Sequence, residues 1–135
     1  MKTFYKPNSS NTLRRSLLLF FIAFSPIIFA QTQGPEFKFD EENFDFGNIK
    51  QGDKISHDYV FTNSGNSPIF ITEVKTECGC TVPDWPKQPI LPGKSGVINV
   101  IFNSEGKTGV QEKEITILSN VTGSAKVLHL SGSVD

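Results

Sequence analysis

Apolar side chains recur at every second residue over several short runs, and this alternation is the feature that most constrains the fold of the chain. The runs are rich in β-branched and aromatic residues, which favour a pleated, half-buried surface. They comprise residues 40–47, 55–62, 69–74, 97–102, 114–118 and 126–130. No segment carries apolar residues at helical spacing. The alternation therefore predicts an all-β protein.

Turn-forming residues separate these runs and indicate how the strands are arranged. The turns are Gln51-Gly52-Asp53, Asn63-Ser64-Gly65-Asn66, Pro92-Gly93 and Val121-Thr122-Gly123-Ser124. About seven short strands with such turns are typical of an immunoglobulin-like antiparallel β-sandwich. The strand-centre residues predicted to fill its core are Tyr59, Phe61, Ile71, Val100, Phe102, Ile117 and Leu128.

The first 30 residues have the pattern of an export signal. Lys2, Lys6, Arg14 and Arg15 precede an apolar stretch over residues 17–30. That stretch is shorter than the roughly 20 apolar residues that span a bilayer. We expect cleavage after Ala30, a linker over residues 31–39 and one domain over residues 40–135. The mature protein is then periplasmic or secreted and is not inserted in the membrane.

Removal of the leader makes the protein acidic. Residues 31–135 contain nine lysines, no arginine and fourteen acidic residues, a formal charge of −5. Nucleic acids and anionic membranes are bound mainly through clustered basic residues, so both are disfavoured as partners. No glycine-rich phosphate loop is present, and no serine, histidine and acid grouping has a nucleophile context. The sequence therefore predicts a protein that is not an enzyme and has no cofactor.

A set of short motifs, taken in order, resembles the bacterial domain of unknown function family 1573. The motifs are Phe46-Gly47-Asn48-Ile49, Gly52-Asp53, Phe61-Thr62-Asn63-Ser64-Gly65-Asn66, Cys78-Gly79-Cys80-Thr81, Pro89-Ile90-Leu91-Pro92-Gly93 and Gly96-Val97-Ile98. The resemblance covers residues 40–134, and the Cys-Gly-Cys-Thr segment is its best marker. It implies an exported immunoglobulin-like sandwich related to domains of major sperm protein and of ciliary scaffold proteins. It implies no particular activity.

Cys78 and Cys80 are the only cysteines of the chain and carry its one chemical clue. On an extended strand their Cα atoms would lie about 6.6 Å apart, so a disulfide would need a bend, which Gly79 would permit. Such a bond would stabilise the fold by only about 1.6 kcal/mol. The pair could instead exchange thiols, link to a partner, or contribute two thiolate ligands to a copper or zinc site.

Other candidate sites are weaker. His57 and His129 are the only histidines, and each is expected to be a surface or packing residue rather than a metal ligand. Asp40-Glu41-Glu42 lacks the spacing of a calcium loop, which favours a solvated acidic loop. The leading hypothesis is a monomeric binding or scaffold domain that contacts an unidentified envelope protein through its sheet edges and loops. The alternative is a thiol-redox or metal-handling protein that uses Cys78 and Cys80.

Overall fold

The computed structural model describes residues 2–4 and 33–135 of the chain. The chain divides into two units, residues 1–31 and residues 32–135. In the first unit, Lys2, Thr3 and Phe4 are exposed and belong to no strand or helix. The rest of the predicted export signal, including the cleavage point after Ala30, lies outside the described residues. Within the described residues, no helix is long and apolar enough to span a membrane.

The second unit consists of eight β-strands connected by turns and loops. The strands are β1 (Phe37–Phe39), β2 (Asn43–Ile49), β3 (Lys54–Asn63), β4 (Ile71–Thr76), β5 (Thr81–Asp84), β6 (Ser95–Asn103), β7 (Gly109–Ser119) and β8 (Lys126–Val134). They form two four-stranded sheets, with the orders β1-β3-β6-β5 and β2-β8-β7-β4. The predicted all-β sandwich is confirmed, with eight strands.

The alternation in the sequence does not predict two of the strands, because they are too short to show it. β1 has three residues within the stretch predicted as a linker, and it pairs with the end of β3. β5 has four residues, one of which is Pro83, a residue that weakens a strand signal. Together they complete the two edges of the first sheet.

The sandwich is not antiparallel throughout, which corrects the sequence prediction. β2 pairs with β8 in parallel, whereas the other strand pairs are antiparallel. A hairpin forces its two strands to be antiparallel, but β2 and β8 lie far apart in sequence, with five strands between them. No turn therefore dictates their relative direction.

The core lies between the two sheets and follows the alternation of the strands. Six of the seven predicted core residues are buried, namely Tyr59, Phe61, Val100, Phe102, Ile117 and Leu128. Ile71 is only half-buried, although it packs against the core. It starts the edge strand β4, where the register with β7 shifts between Ile71 and Glu73, so it lies at the margin of the sheet.

Candidate functional site

The two cysteines lie in a short turn that connects the two sheets. Residues 77–80, here called the disulfide turn, follow β4 of the second sheet and precede β5 of the first. Cys78 and Cys80 are joined in a disulfide with a Cα–Cα distance of 5.3 Å. This distance is shorter than the separation of about 6.6 Å on an extended strand. The chain therefore bends at the pair, as a disulfide requires.

Hydrogen bonds, rather than the freedom of a glycine, hold this bend. Gly79 is not among the glycines with positive φ, and a Cβ atom added to it would meet no atom within 4 Å. The amide of Thr81 donates to the carbonyl of Cys78 at 3.2 Å. The hydroxyl of Thr76 lies 2.9 Å from the carbonyl oxygen of Thr81, which accepts its hydrogen bond. An alanine would fit at position 79.

The two sulfur atoms have different surroundings. Both cysteines are half-buried, but Cys80 also packs against the hydrophobic core. Its carbonyl accepts a hydrogen bond of 2.8 Å from the amide of Asn103 in β6. The hydroxyl of Thr81, a residue that is 2% exposed, lies 3.8 Å from Sγ of Cys80 and 4.0 Å from Sγ of Cys78. Cys80 is therefore the inner member of the pair.

An acidic cleft lies beside the disulfide turn. Its volume is about 540 Å³, and it reaches Glu77, the residue before Cys78. The lining residues are Asn43, Glu77, Glu112, Lys113, Glu114, His129, Leu130 and Ser131. Three glutamates against one lysine leave the lining with a net negative charge. The sequence does not predict this cleft, because its residues come from three separate strands and the turn.

The two histidines are placed differently from each other. His57 lies within the sandwich, where its ring stacks on Phe44 at 3.6 Å between centroids. Its Nε2 atom is 3.7 Å from Oε2 of Glu41. His129 is exposed on β8 and lines the acidic cleft. In the described part of the chain, no three His, Cys, Asp or Glu side chains come together as metal ligands.

Metal binding by the cysteine pair stays a prediction. In the structure the two sulfurs are bonded to each other, and a thiolate is the form that binds copper or zinc. The disulfide would have to be reduced before Cys78 and Cys80 could act as ligands. Two residues of the acidic segment Asp40-Glu41-Glu42 have partners within the protein: Glu41 faces His57, and Glu42 forms an ion pair with Lys126.

A second candidate site is the outer face of β3, β6 and β5, where apolar side chains are exposed. Val82 is 56% exposed, and Val97 and Ile101 are each 41% exposed. Val82 lies directly opposite Ile101, and Val97 lies directly opposite the half-buried Val60. These four residues define what we call the apolar face. One signal of this face is present in the sequence. In residues 97–102 the positions on both sides of the strand are apolar, with Asn99 as the exception.

An acidic row crosses the apolar face between its two apolar pairs. Asp58 and Asp84 both lie opposite Asn99, one on each neighbouring strand. The amide of Asn99 donates to Oδ1 of Asp58 at 2.6 Å and to the hydroxyl of Ser56 at 2.9 Å. The face thus presents two negative charges with apolar side chains on either side.

The free edge of β5, beside the apolar face, offers little to an added strand. Antiparallel pairs alternate between hydrogen-bonded and non-bonded positions, and the bond from Asn103 to Cys80 sets the phase. Thr81 and Pro83 therefore direct their backbone groups away from β6. Both backbone groups of Thr81 are already used, by the carbonyl of Cys78 and the hydroxyl of Thr76, and Pro83 has no N–H. A partner would have to bind the face of this sheet rather than its β5 edge.

Comparison with known proteins places the fold and leaves the activity open. A family model described as a protein of unknown function, DUF1573, matches residues 37–134. A protein of unknown function from Porphyromonas gingivalis W83 has a similar structure, with a TM-score of 0.65 and 17% identity over 75% of this chain and 47% of that chain. No curated protein matches.

Two further structures share the fold at low identity. The secreted serine protease VesC from Vibrio cholerae has a TM-score of 0.56 and 17% identity, over 77% of this chain and 24% of that chain. The YadV chaperone has a TM-score of 0.53 and 15% identity, over 73% of this chain and 52% of that chain. This chain thus spans about half or less of each of these three structures, and the likeness concerns the fold alone.

Proposed function

This chain belongs to the DUF1573 family, and we propose that it is an exported, non-enzymatic binding domain that associates with another protein of the cell envelope. The observation that carries the proposal is the apolar face on the outside of β3, β6 and β5. Exposed apolar side chains on neighbouring strands mark surfaces where proteins associate. The apolar leader of residues 17–30 supports the export step.

The pattern of the apolar face defines the chemistry of the partner. Side chains on one face of a strand repeat about every 6.8 Å, so the acidic row lies about that far from each apolar pair. A complementary surface places a lysine or arginine between two apolar side chains. Charge complementarity favours such a partner because the mature chain is acidic, with nine lysines against fourteen acidic residues.

The architecture of the similar structures is compatible with this role. The fold covers 24% of the chain of a secreted serine protease and 52% of a chaperone. In both proteins the matched region is one part of a longer chain.

Site-specific crosslinking tests the proposed interface. A photoreactive amino acid at position 97 is compared with one at position 112, on the other sheet, in the protein expressed in its source organism. We expect one discrete adduct from position 97, which is lost on Ile101→Lys. Val110→Lys is the matched control, because Val110 is 79% exposed on β7 and lies outside the apolar face. Equal adducts from both positions, or no adduct from position 97, would contradict the proposal.

Sequencing of the N-terminus tests export separately. We expect the protein recovered from the natural host to begin at Gln31 and to fractionate outside the cytoplasm. A full-length product retained in the membrane would contradict this part of the proposal.

A further inference from the structure

The disulfide turn carries a chemistry that goes beyond binding. We propose that Cys78–Cys80 is a thiol–disulfide exchange site, at which an external dithiol attacks Sγ of Cys78 and Cys80 is the leaving thiolate. The partner dithiol is one with a neutral or positively charged surface around its reactive thiol. Position, burial and charge each support one part of this assignment.

The position of the pair suits exchange better than structural crosslinking. The disulfide closes a ring of only three residues, so it restricts the unfolded chain little. The two sheets are already joined by a core that extends from Tyr59 to Val134. The half-buried cysteines lie in a turn, where a second molecule can reach them, rather than within a strand. The bond is therefore accessible and contributes little to the fold.

The core contact of Cys80 determines the direction of attack. Thiol exchange is an in-line displacement whose rate depends on which sulfur is accessible and on how well the other leaves. Cys80 packs against the core, which shields its sulfur from an incoming thiolate. The hydroxyl of Thr81, 3.8 Å from Sγ of Cys80 and 4.0 Å from Sγ of Cys78, can donate a hydrogen bond to a departing thiolate at either position, so the core contact of Cys80 alone sets the direction. Attack is thus directed at Cys78.

The reaction balances without any further reagent. One thiolate of the external dithiol attacks Sγ of Cys78, the Cys78–Cys80 bond breaks, and its electron pair goes to Sγ of Cys80. In the mixed disulfide, the first sulfur of the dithiol is bonded to Cys78. The second thiol of the dithiol then attacks that first sulfur, and Cys78 is released. The partner leaves as a disulfide, oxidised by two electrons, and its two protons end on the two cysteines.

The acidic cleft determines which thiols react. Glu77 adjoins Cys78, and Glu112 and Glu114 line the same cleft. An anionic thiol is repelled there, whereas a cationic thiol is attracted. One full charge about 6 Å from the attacked sulfur changes the rate roughly threefold in water at low salt. A cationic thiol is therefore expected to react about tenfold faster than an anionic one of equal intrinsic reactivity.

The first test measures the two thiols separately. Cys80→Ser leaves the thiol of Cys78, and Cys78→Ser leaves that of Cys80, and each variant is alkylated with iodoacetamide. We expect Cys78 to react several times faster in the folded protein, and both to react alike in urea. Equal or reversed rates in the folded protein would overturn the direction of attack. Circular dichroism verifies that both variants are folded, and mass spectrometry of the wild-type mixed disulfide with 2-aminoethanethiol provides an independent location of the adduct.

The second test measures reduction of the wild-type disulfide by 2-aminoethanethiol and by mercaptoacetate. Each rate is divided by the rate with a small linear disulfide, which removes the intrinsic difference between the thiols. We expect the cationic thiol to be favoured, and Glu77→Gln to shrink the ratio roughly tenfold. Glu36→Gln is the matched control, because Glu36 lies beside Ser64, just past the C-terminal end of β3, and away from the disulfide turn.

The outcomes separate this proposal from the binding function. A bond that no thiol reduces in the folded protein would overturn exchange altogether. A ratio that Glu77→Gln leaves unchanged would overturn the role of the acidic cleft. Neither result would alter the crosslinking expected at position 97. Conversely, exchange at Cys78 would persist if the apolar face binds no partner.

Discussion

The two outer faces of the sandwich differ in what they offer a partner, although the same alternation builds both. The outer face of β3, β6 and β5 exposes Val82, Val97 and Ile101 around an acidic row. In the other sheet, the middle of β7 and β8 instead pairs Glu112 with Ser131 and Glu114 with His129. Alternation decides which residues are buried, whereas the chemistry of the remaining positions is free to differ. The first face suits association with a protein, and the second adjoins the disulfide turn.

The test of this comparison with the largest expected effect contrasts the two sides of β6. Phe102 is fully buried and its neighbour Ile101 is 41% exposed. We expect Phe102→Ala to lower the free energy of unfolding by about 3–5 kcal/mol, because it leaves a cavity in the core. Ile101→Ala should cost less than about 1 kcal/mol, as surface substitutions usually do. Denaturant melts measure both, and similar losses would mean that the strand does not separate a core side from a binding side.

The next test compares two glycines, one beneath the apolar face and one in the disulfide turn. A Cβ atom at Gly96 would lie 2.5 Å from the buried ring of Phe61, whereas one at Gly79 would meet open space. We expect Gly96→Ala to destabilise the protein by about 1–3 kcal/mol through overpacking. Gly79→Ala is the control, with an expected change within about 0.5 kcal/mol. A large loss at Gly79 would show that the turn depends on glycine after all.

A third test removes the covalent link in the turn between the sheets. The double change Cys78→Ser with Cys80→Ser should reduce the free energy of unfolding by at most about 1.6 kcal/mol, the entropic effect of so small a ring. The protein should remain monomeric and folded. Thermal melts of the oxidised wild type and the double variant decide the point, and a loss well beyond about 2 kcal/mol would make the disulfide a structural element.

A fourth test concerns Tyr59, which ties β3 to the opposite sheet. Its hydroxyl donates to the carbonyl of His129 at 2.7 Å. Burial raises the pKa of Tyr59 above its ordinary value, and the carboxylate of Glu41 raises it further. Above the ordinary tyrosine pKa of about 10, the unfolded chain loses this proton while the folded protein keeps it. Stability should therefore fall with rising pH, by up to about 1.4 kcal/mol per pH unit.

The variant Tyr59→Phe isolates this effect from the titration of lysines. Denaturant melts between pH 9 and pH 11 should show a shallower loss of stability in the variant than in the wild type. The variant should also be less stable at neutral pH, by about 1–3 kcal/mol, because the carbonyl of His129 loses its buried donor. Parallel pH curves for the two proteins would contradict a raised pKa at Tyr59.

The candidate sites were only partly visible in the sequence. The cysteine pair was evident, and a disulfide with a bend was among its expected forms. The acidic cleft and the acidic row were not, because each is assembled from residues such as Glu77 with Glu114, or Asp58 with Asp84, that are distant in the chain. Only strand pairing brings them together.

What the sequence determined by itself is the all-β class, the sandwich and most of the core. These follow from local alternation, since a strand with period two must place residues such as Tyr59, Phe61 and Phe102 on one face. The tertiary structure decided the parallel pairing of β2 with β8, the inclusion of β1 and β5, and the contact of Cys80 with the core. The physical reason is that alternation fixes which side of a strand is buried, while strand order, direction and register depend on contacts between residues remote in sequence.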